Sequence, residues 1–91
     1  MPPPSGWIKL NVDAAVAESS SALAVVARDD KGIASKAWSK IHHPCPPIVA
    51  EVNAILWAAQ LAIQERWSHI IIEGDAKRCF DSLSVEDVIP D

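Results

Sequence analysis

A proline block, His42-His43-Pro44-Cys45-Pro46-Pro47, does most to limit what this chain can fold into. Proline has no N–H to give to a β-ladder, so a sheet stops here. Pro47 can also occupy the first turn of a helix. The hydrophobic period changes across the block. Before it, apolar residues recur at every second position; after it, they recur with the 3.6-residue period of a helix. Such a chain folds as a group of strands followed by a crossover helix.

The strands can be read in order. Trp7–Ala15 sets Ile8, Leu10 and Val12 on one face against Lys9, Asn11 and Asp13 on the other, the pattern of a strand with one buried face. A small, polar link leads to Ala22–Arg28, which is apolar on both faces and reads as a central strand. Asp29-Asp30-Lys31-Gly32 is a turn, with Gly32 free to take positive φ. Ile33–Ile41 sets Ile33, Ser35, Ala37, Ser39 and Ile41 against Ala34, Lys36, Trp38 and Lys40, and its lysines suit an exposed edge. Strands joined by such short turns predict an antiparallel meander.

After the prolines, Ile48 to Arg66 reads as the longest helix. Its expected apolar stripe is Ile48, Val52, Ile55, Leu56, Ala59 and Ile63, with Gln60, Gln64 and Glu65 away from it. It should cover one face of the sheet. His69–Asp75 then reads as a fourth strand, which an intervening helix makes parallel to its neighbour. Asp75 is expected to cap a second helix, Ala76–Leu83. Residues 1–6 read as a flexible, Pro-rich leader and 7–91 as one α/β domain.

Charge narrows the function. The net charge is −4, from 8 basic and 12 acidic residues, which argues against a generally basic nucleic-acid binder. It leaves open a site that meets phosphates through metal ions. Cys45 and Cys79 form no CxxC pair, so free thiols in a reducing compartment are expected. The N-terminus has no signal-peptide pattern, and no apolar run approaches the ~20 residues of a membrane span. The expected setting is intracellular and away from membranes, with nucleus and cytoplasm both open.

Three carboxylates stand where their neighbours do not favour them. Asp13 is near the end of the first strand, Glu51 is inside the apolar helix, and Asp75 ends the fourth strand. If the first and fourth strands are parallel neighbours, both aspartates lie at carboxyl ends, where open α/β sheets bind ligands. Glu51 is expected in the first turn of the crossing helix, on a stripe with Ile55, Ala58 and Ala62. Oxygen ligands alone select Mg²⁺ or Mn²⁺. A pair of such ions can clamp an in-line phosphodiester displacement. Each acid also has a plainer role: loop start for Asp13, helix-dipole partner for Glu51, N-cap for Asp75.

The runs Lys9-Leu10-Asn11-Val12-Asp13-Ala14-Ala15, Arg28-Asp29-Asp30-Lys31-Gly32, Ala50-Glu51-Val52-Asn53-Ala54 and Glu73-Gly74-Asp75 resemble the plant ribonuclease H-like domain. That domain occurs alone or attached to retroelement reverse transcriptases. The resemblance implies an RNase H fold, a five-stranded mixed sheet in the order 3-2-1-4-5 flanked by helices. It implies Mg²⁺-dependent endonucleolytic cleavage of the RNA strand of RNA–DNA hybrids, with Asp13, Glu51 and Asp75 as metal ligands and catalytic groups. The chain stops before the family's fifth strand, last helix and fourth acidic ligand. Ala14, Ala22 and Ala24 stand where the family often has glycine. An alternative function is a catalytically inactive module that binds nucleic acid or self-associates. The missing strand leaves the fourth-strand edge open, where a second copy or a partner strand could pair.

Other candidates carry less. His42, His43 and Cys45 could ligate a soft metal, but lack a fourth ligand. Trp38, flanked by lysines, is the best aromatic candidate for stacking on a base. Lys9, Lys36, Lys40, Lys77 and Arg78 are the available phosphate contacts, and read as a solvated surface unless several cluster.

Overall fold

The short turns bring consecutive strands together as neighbours. In a computed structural model of the chain, residues 4–74 are described. β1 (Ile8–Val16), β2 (Ser21–Arg28) and β3 (Ala34–His42) form the antiparallel meander, with β2 in the middle. Asp29 builds the β2–β3 turn: its Oδ1 accepts from the N–H groups of Lys31 and Ile33, each at 2.9 Å. Gly32 completes the turn at φ 80°, as its sequence position requires. At the same end of the sheet, residues 4–6 form a turn tied to the molecule by the Gly6 N–H, which donates to Asp30 Oδ2 at 3.0 Å.

Helix α1 (Pro47–Gln64) follows the prolines, with Pro47 at its start. β4 (Ile70–Gly74) then joins β1 in parallel, giving the sheet order β3-β2-β1-β4. This is the mixed sheet and crossover helix that the change of period predicts. Asp75, Cys79 and the expected second helix Ala76–Leu83 lie outside the described residues.

The buried face of α1 departs from expectation. Ile48, Val52, Leu56 and Ile63 are 45%, 42%, 38% and 57% exposed, and only Ile55 and Ala59 of the expected stripe are buried. The helix instead turns Ala50, Ala54, Ala58 and Ala62 to the sheet, with Ile55, Ala59 and Leu61 beside them. The physical reason is volume. Leu10, Val12, Leu23, Val25, Ile70 and Ile72 already fill the interface from the sheet side. Alanines let the helix axis settle close over them, as close packing demands. Periodicity locates an apolar face without showing which of two apolar faces has the right volume.

By length and composition α1 could span a membrane, contrary to the sequence expectation. It is nevertheless the core helix of this sheet, because its alanine face is completely buried there. Its C-terminus ends earlier than expected, at Gln64, in a left-handed cap. Arg66 takes φ 61°. Its N–H donates to the Ile63 carbonyl at 3.1 Å, and the Trp67 N–H reaches the Ala62 carbonyl at 2.9 Å. This paired closure is a Schellman motif, with arginine where glycine is usual.

Candidate functional site

The strand registers define one end of the sheet. Val16 stands beside Ser21, and Ser21 beside His42. α1 therefore starts, at Pro47, at the carboxyl end of β1. The β1–β4 pairing runs toward the same end and finishes with Val12 opposite Gly74.

Asp13 is the next residue on β1. Leu10 and Val12 are buried under α1, so strand alternation turns Asp13 to the opposite face, where it is exposed. Its Oδ1 accepts the N–H of its own neighbour Ala14 at 2.9 Å.

Glu51 is the fifth residue of α1, and no acidic residue occupies the first turn. This corrects the expectation that placed it there. It also weakens the helix-dipole account, because that interaction fades beyond the first turn. Glu51 is half-buried among Ala50, Ala54 and Ile55. Its Oε2 is buried and has no hydrogen-bond partner among the described residues. An unpaired carboxylate oxygen out of water is costly to hold. A cation is the natural complement of such an atom.

Asp75 follows Gly74 by one peptide bond and lies outside the described residues. Among the described residues, no three His, Cys, Asp or Glu side chains are grouped to hold a metal ion. Asp13 and Glu51 thus share one end of the sheet while belonging to different layers. Their oxygen-only chemistry and the orphaned Glu51 oxygen fit a hard divalent cation.

The basic and aromatic candidates find partners inside the fold. Lys9 Nζ pairs with Glu73 Oε2 at 2.9 Å across the parallel strands, on the same face as Asp13. Lys36 pairs with Glu65. Lys40 lies over the Trp57 ring, 4.4 Å from its centroid. These lysines are held by internal partners and do not gather into a phosphate-binding cluster. Lys77 and Arg78 lie outside the described residues. Trp38 meets Trp67 edge-on, with 6.2 Å between centroids, and packs against the core. His42 and His43 stack on each other at 3.9 Å. The buried Ser21 hydroxyl donates to the His43 carbonyl at 2.8 Å and touches Cys45 Sγ at 3.9 Å, which makes this loop a structural seam. Glu73 was not singled out from the sequence. Only the parallel register, which hydrophobic alternation does not specify, places it beside Asn11 and within reach of Lys9.

Comparison with known proteins agrees with this architecture. The Reverse transcriptase-like family matches residues 11–88. No curated protein matches the chain. Among solved structures, an RNase H1 from the halophilic archaeon Halobacterium salinarum NRC-1 has a TM-score of 0.72 at 18% identity, covering 78% of this chain and 55% of that one. LC11-RNase H1, solved in complex with an RNA/DNA hybrid, has a TM-score of 0.67 at 18% identity, covering 77% and 55%. The foamy viral protease-reverse transcriptase in complex with dsDNA has a TM-score of 0.67 at 18% identity, covering 78% and 48%. This chain spans about half the length of these structures. By the match over most of its length, and with an RNase H-like fold, the chain belongs to the Reverse transcriptase-like family.

Proposed function

We propose that this domain hydrolyses the RNA strand of RNA–DNA hybrids with the help of Mg²⁺ or Mn²⁺. The observation that carries the proposal is the buried Oε2 of Glu51 near the carboxyl end of β1, which has no hydrogen-bond partner among the described residues. Asp13, Glu51 and Asp75 would hold the ion. When bound, the ion supplies Lewis-acid activation of a water and charge stabilisation at the leaving oxygen.

The chain's own residues define the rest. Asp13 offers one oxygen to solvent while its other is steadied by the Ala14 N–H. Glu51 keeps its Oε2 out of water, which strengthens its attraction for a cation. Glu73 is neutralised by Lys9, so it adds little repulsion on the Asp13 face. The edge of β4 is where a further strand would pair, from the rest of a longer chain or from a second copy.

The second reading is a silent module that binds nucleic acid without cutting it. The observation that favours it is the opposite facing of Asp13 and α1 across the sheet. One experiment separates the two. A labelled hybrid is incubated with the protein and Mg²⁺ or Mn²⁺, alongside Asp13→Asn. Cleavage that the substitution abolishes supports the nuclease. Hybrid binding by a folded protein without any cleavage rules the nuclease out and leaves the binding module.

A further inference from the structure

β1 and β4 pair from Ile8–Ile70 to Val12–Gly74. A parallel pair has no tight turn to fix its register. The buried face does not fix it either. Ile70 and Ile72 stand there opposite Ile8 and Leu10, and Val12 faces Gly74. The side-chain period of a strand is two, so a shift of two residues keeps every side chain on its own face. Such a shift would set Ile70 against Leu10 and Ile72 against Val12, which is as apolar as the observed match. A shift of one residue is excluded by Glu73, which would turn under α1 as a buried charge.

Charge on the other face separates the two registers that remain. In the observed one, Glu73 stands opposite Asn11, and Lys9 Nζ meets its Oε2 at 2.9 Å. The two side chains are 17% and 30% exposed, so salt screens them less than it screens an open surface pair. In the shifted one, Glu73 would stand opposite Asp13, carboxylate against carboxylate. Like charges directly opposite destabilise a strand pair. The same shift would carry β4 about 6.6 Å along β1. Position 75 would then fall level with Ala15 and past Asp13.

We propose that the Lys9–Glu73 pair locks the register of the β1–β4 junction, and that both are positioning residues for the carboxylates at its end. The lock stands on the fold alone. Its use in positioning rests on the nuclease reading, in which Asp13 and Asp75 share an ion.

A disulfide reporter reads the register. Asn11→Cys and Ile71→Cys, in a Cys45→Ser and Cys79→Ser background, stand diagonally in the observed register, about 8 Å apart and too far to bridge. In the shifted register they come directly opposite, about 4.8 Å apart. The reporter should therefore cross-link slowly under mild oxidation. Adding Glu73→Lys, which draws β4 toward Asp13 and repels it from Lys9, should speed cross-linking about fivefold or more. Glu73→Gln removes the charge without reversing it and should fall between. Equal rates in all three, each shown to be folded by its melting transition, would overturn the lock. Hybrid cleavage by the otherwise unaltered chain tests the positioning. Lys9→Met should lower kcat about tenfold or more and leave KM within about threefold, since a misplacement of about 1 Å can cost 100-fold. Lys9→Arg should recover most of the loss. An unchanged kcat in Lys9→Met would overturn the positioning role. A wild type that does not cleave, with the cross-linking pattern intact, would sink the nuclease reading and the positioning role with it, and leave the lock standing.

Discussion

Val12 of β1 stands directly opposite Gly74 of β4, as the last matched pair of the parallel junction. Asp13 follows the first of these residues and Asp75 the second by a single peptide bond. The position of Asp13 is therefore set by register and needs no help from its own side-chain contacts. Among the described residues its side chain accepts one hydrogen bond, from the adjacent Ala14 N–H, and the residue is exposed. Asp13→Asn should leave Tm within about 2–4 °C of wild type, since surface substitutions stay within about 0.5 kcal/mol. If the nuclease reading holds, the same change removes a ligand from an ion that supplies several kcal/mol. Hybrid cleavage should then drop by about 100-fold or more, at about 1.4 kcal/mol per decade. Paired melting and cleavage measurements on the same preparation check both halves.

Glu51 makes the opposite prediction for stability. Its Oε2 is buried with no hydrogen-bond partner among the described residues, and a buried polar atom left unpaired is costly. Glu51→Gln keeps the shape and removes the charge. It should stabilise the metal-free chain by about 1 kcal/mol. Wild type should gain Tm on adding Mg²⁺, because a ligand that binds only the folded state stabilises it. Glu51→Gln should lose that gain. Melting curves of both proteins in EDTA and in Mg²⁺ measure the crossing. A wild type indifferent to Mg²⁺ would refute the role of Glu51 as a ligand.

The order of elements was legible because the period switch at Pro44–Pro47 is sharp and the turns around Gly32 are short. Those two facts leave few ways to connect the strands. Asp13 and Glu51 were legible because a carboxylate inside an apolar run contradicts its surroundings. The packing face of α1 was not legible. Its alanine face and its Val52–Leu56–Ile63 face are both apolar at the same pitch, and the choice depends on side-chain volume across the interface. The Lys9–Glu73 pair was hidden for another reason. It depends on a parallel register that hydrophobic alternation does not specify.

The alanine face itself is open to test. Ala58 is completely buried between α1 and the sheet. Extra methylenes there must push the helix away from Leu10, Val25 and Ile72, or force strained rotamers. Ala58→Leu should cost about 1–3 kcal/mol. The hydrophobicity of leucine would favour the change if the face had room, so the sign is informative. Urea unfolding should show a lower midpoint with an unchanged slope, the signature of lost stability without a different unfolded state.

Arg66 holds the left-handed position of the α1 cap at φ 61°. The conformation is enforced from both sides, by its own N–H on the Ile63 carbonyl and by the Trp67 N–H on the Ala62 carbonyl. It is what turns the chain so that Trp67 can meet Trp38. A side chain there costs about 1–2 kcal/mol that glycine avoids. Glycine gives part of this back, about 0.4–1 kcal/mol, through the greater freedom of its unfolded chain. Arg66→Gly should therefore stabilise the protein by about 0.5–1 kcal/mol, which raises Tm by about 2–8 °C in a domain of this size. Arg66→Val should do the reverse, because a β-branched side chain tolerates positive φ least. Thermal melts of the two variants decide the matter. Equal stabilities would mean that the cap is not left-handed in solution, and that the contact between Trp67 and Trp38 has some other origin.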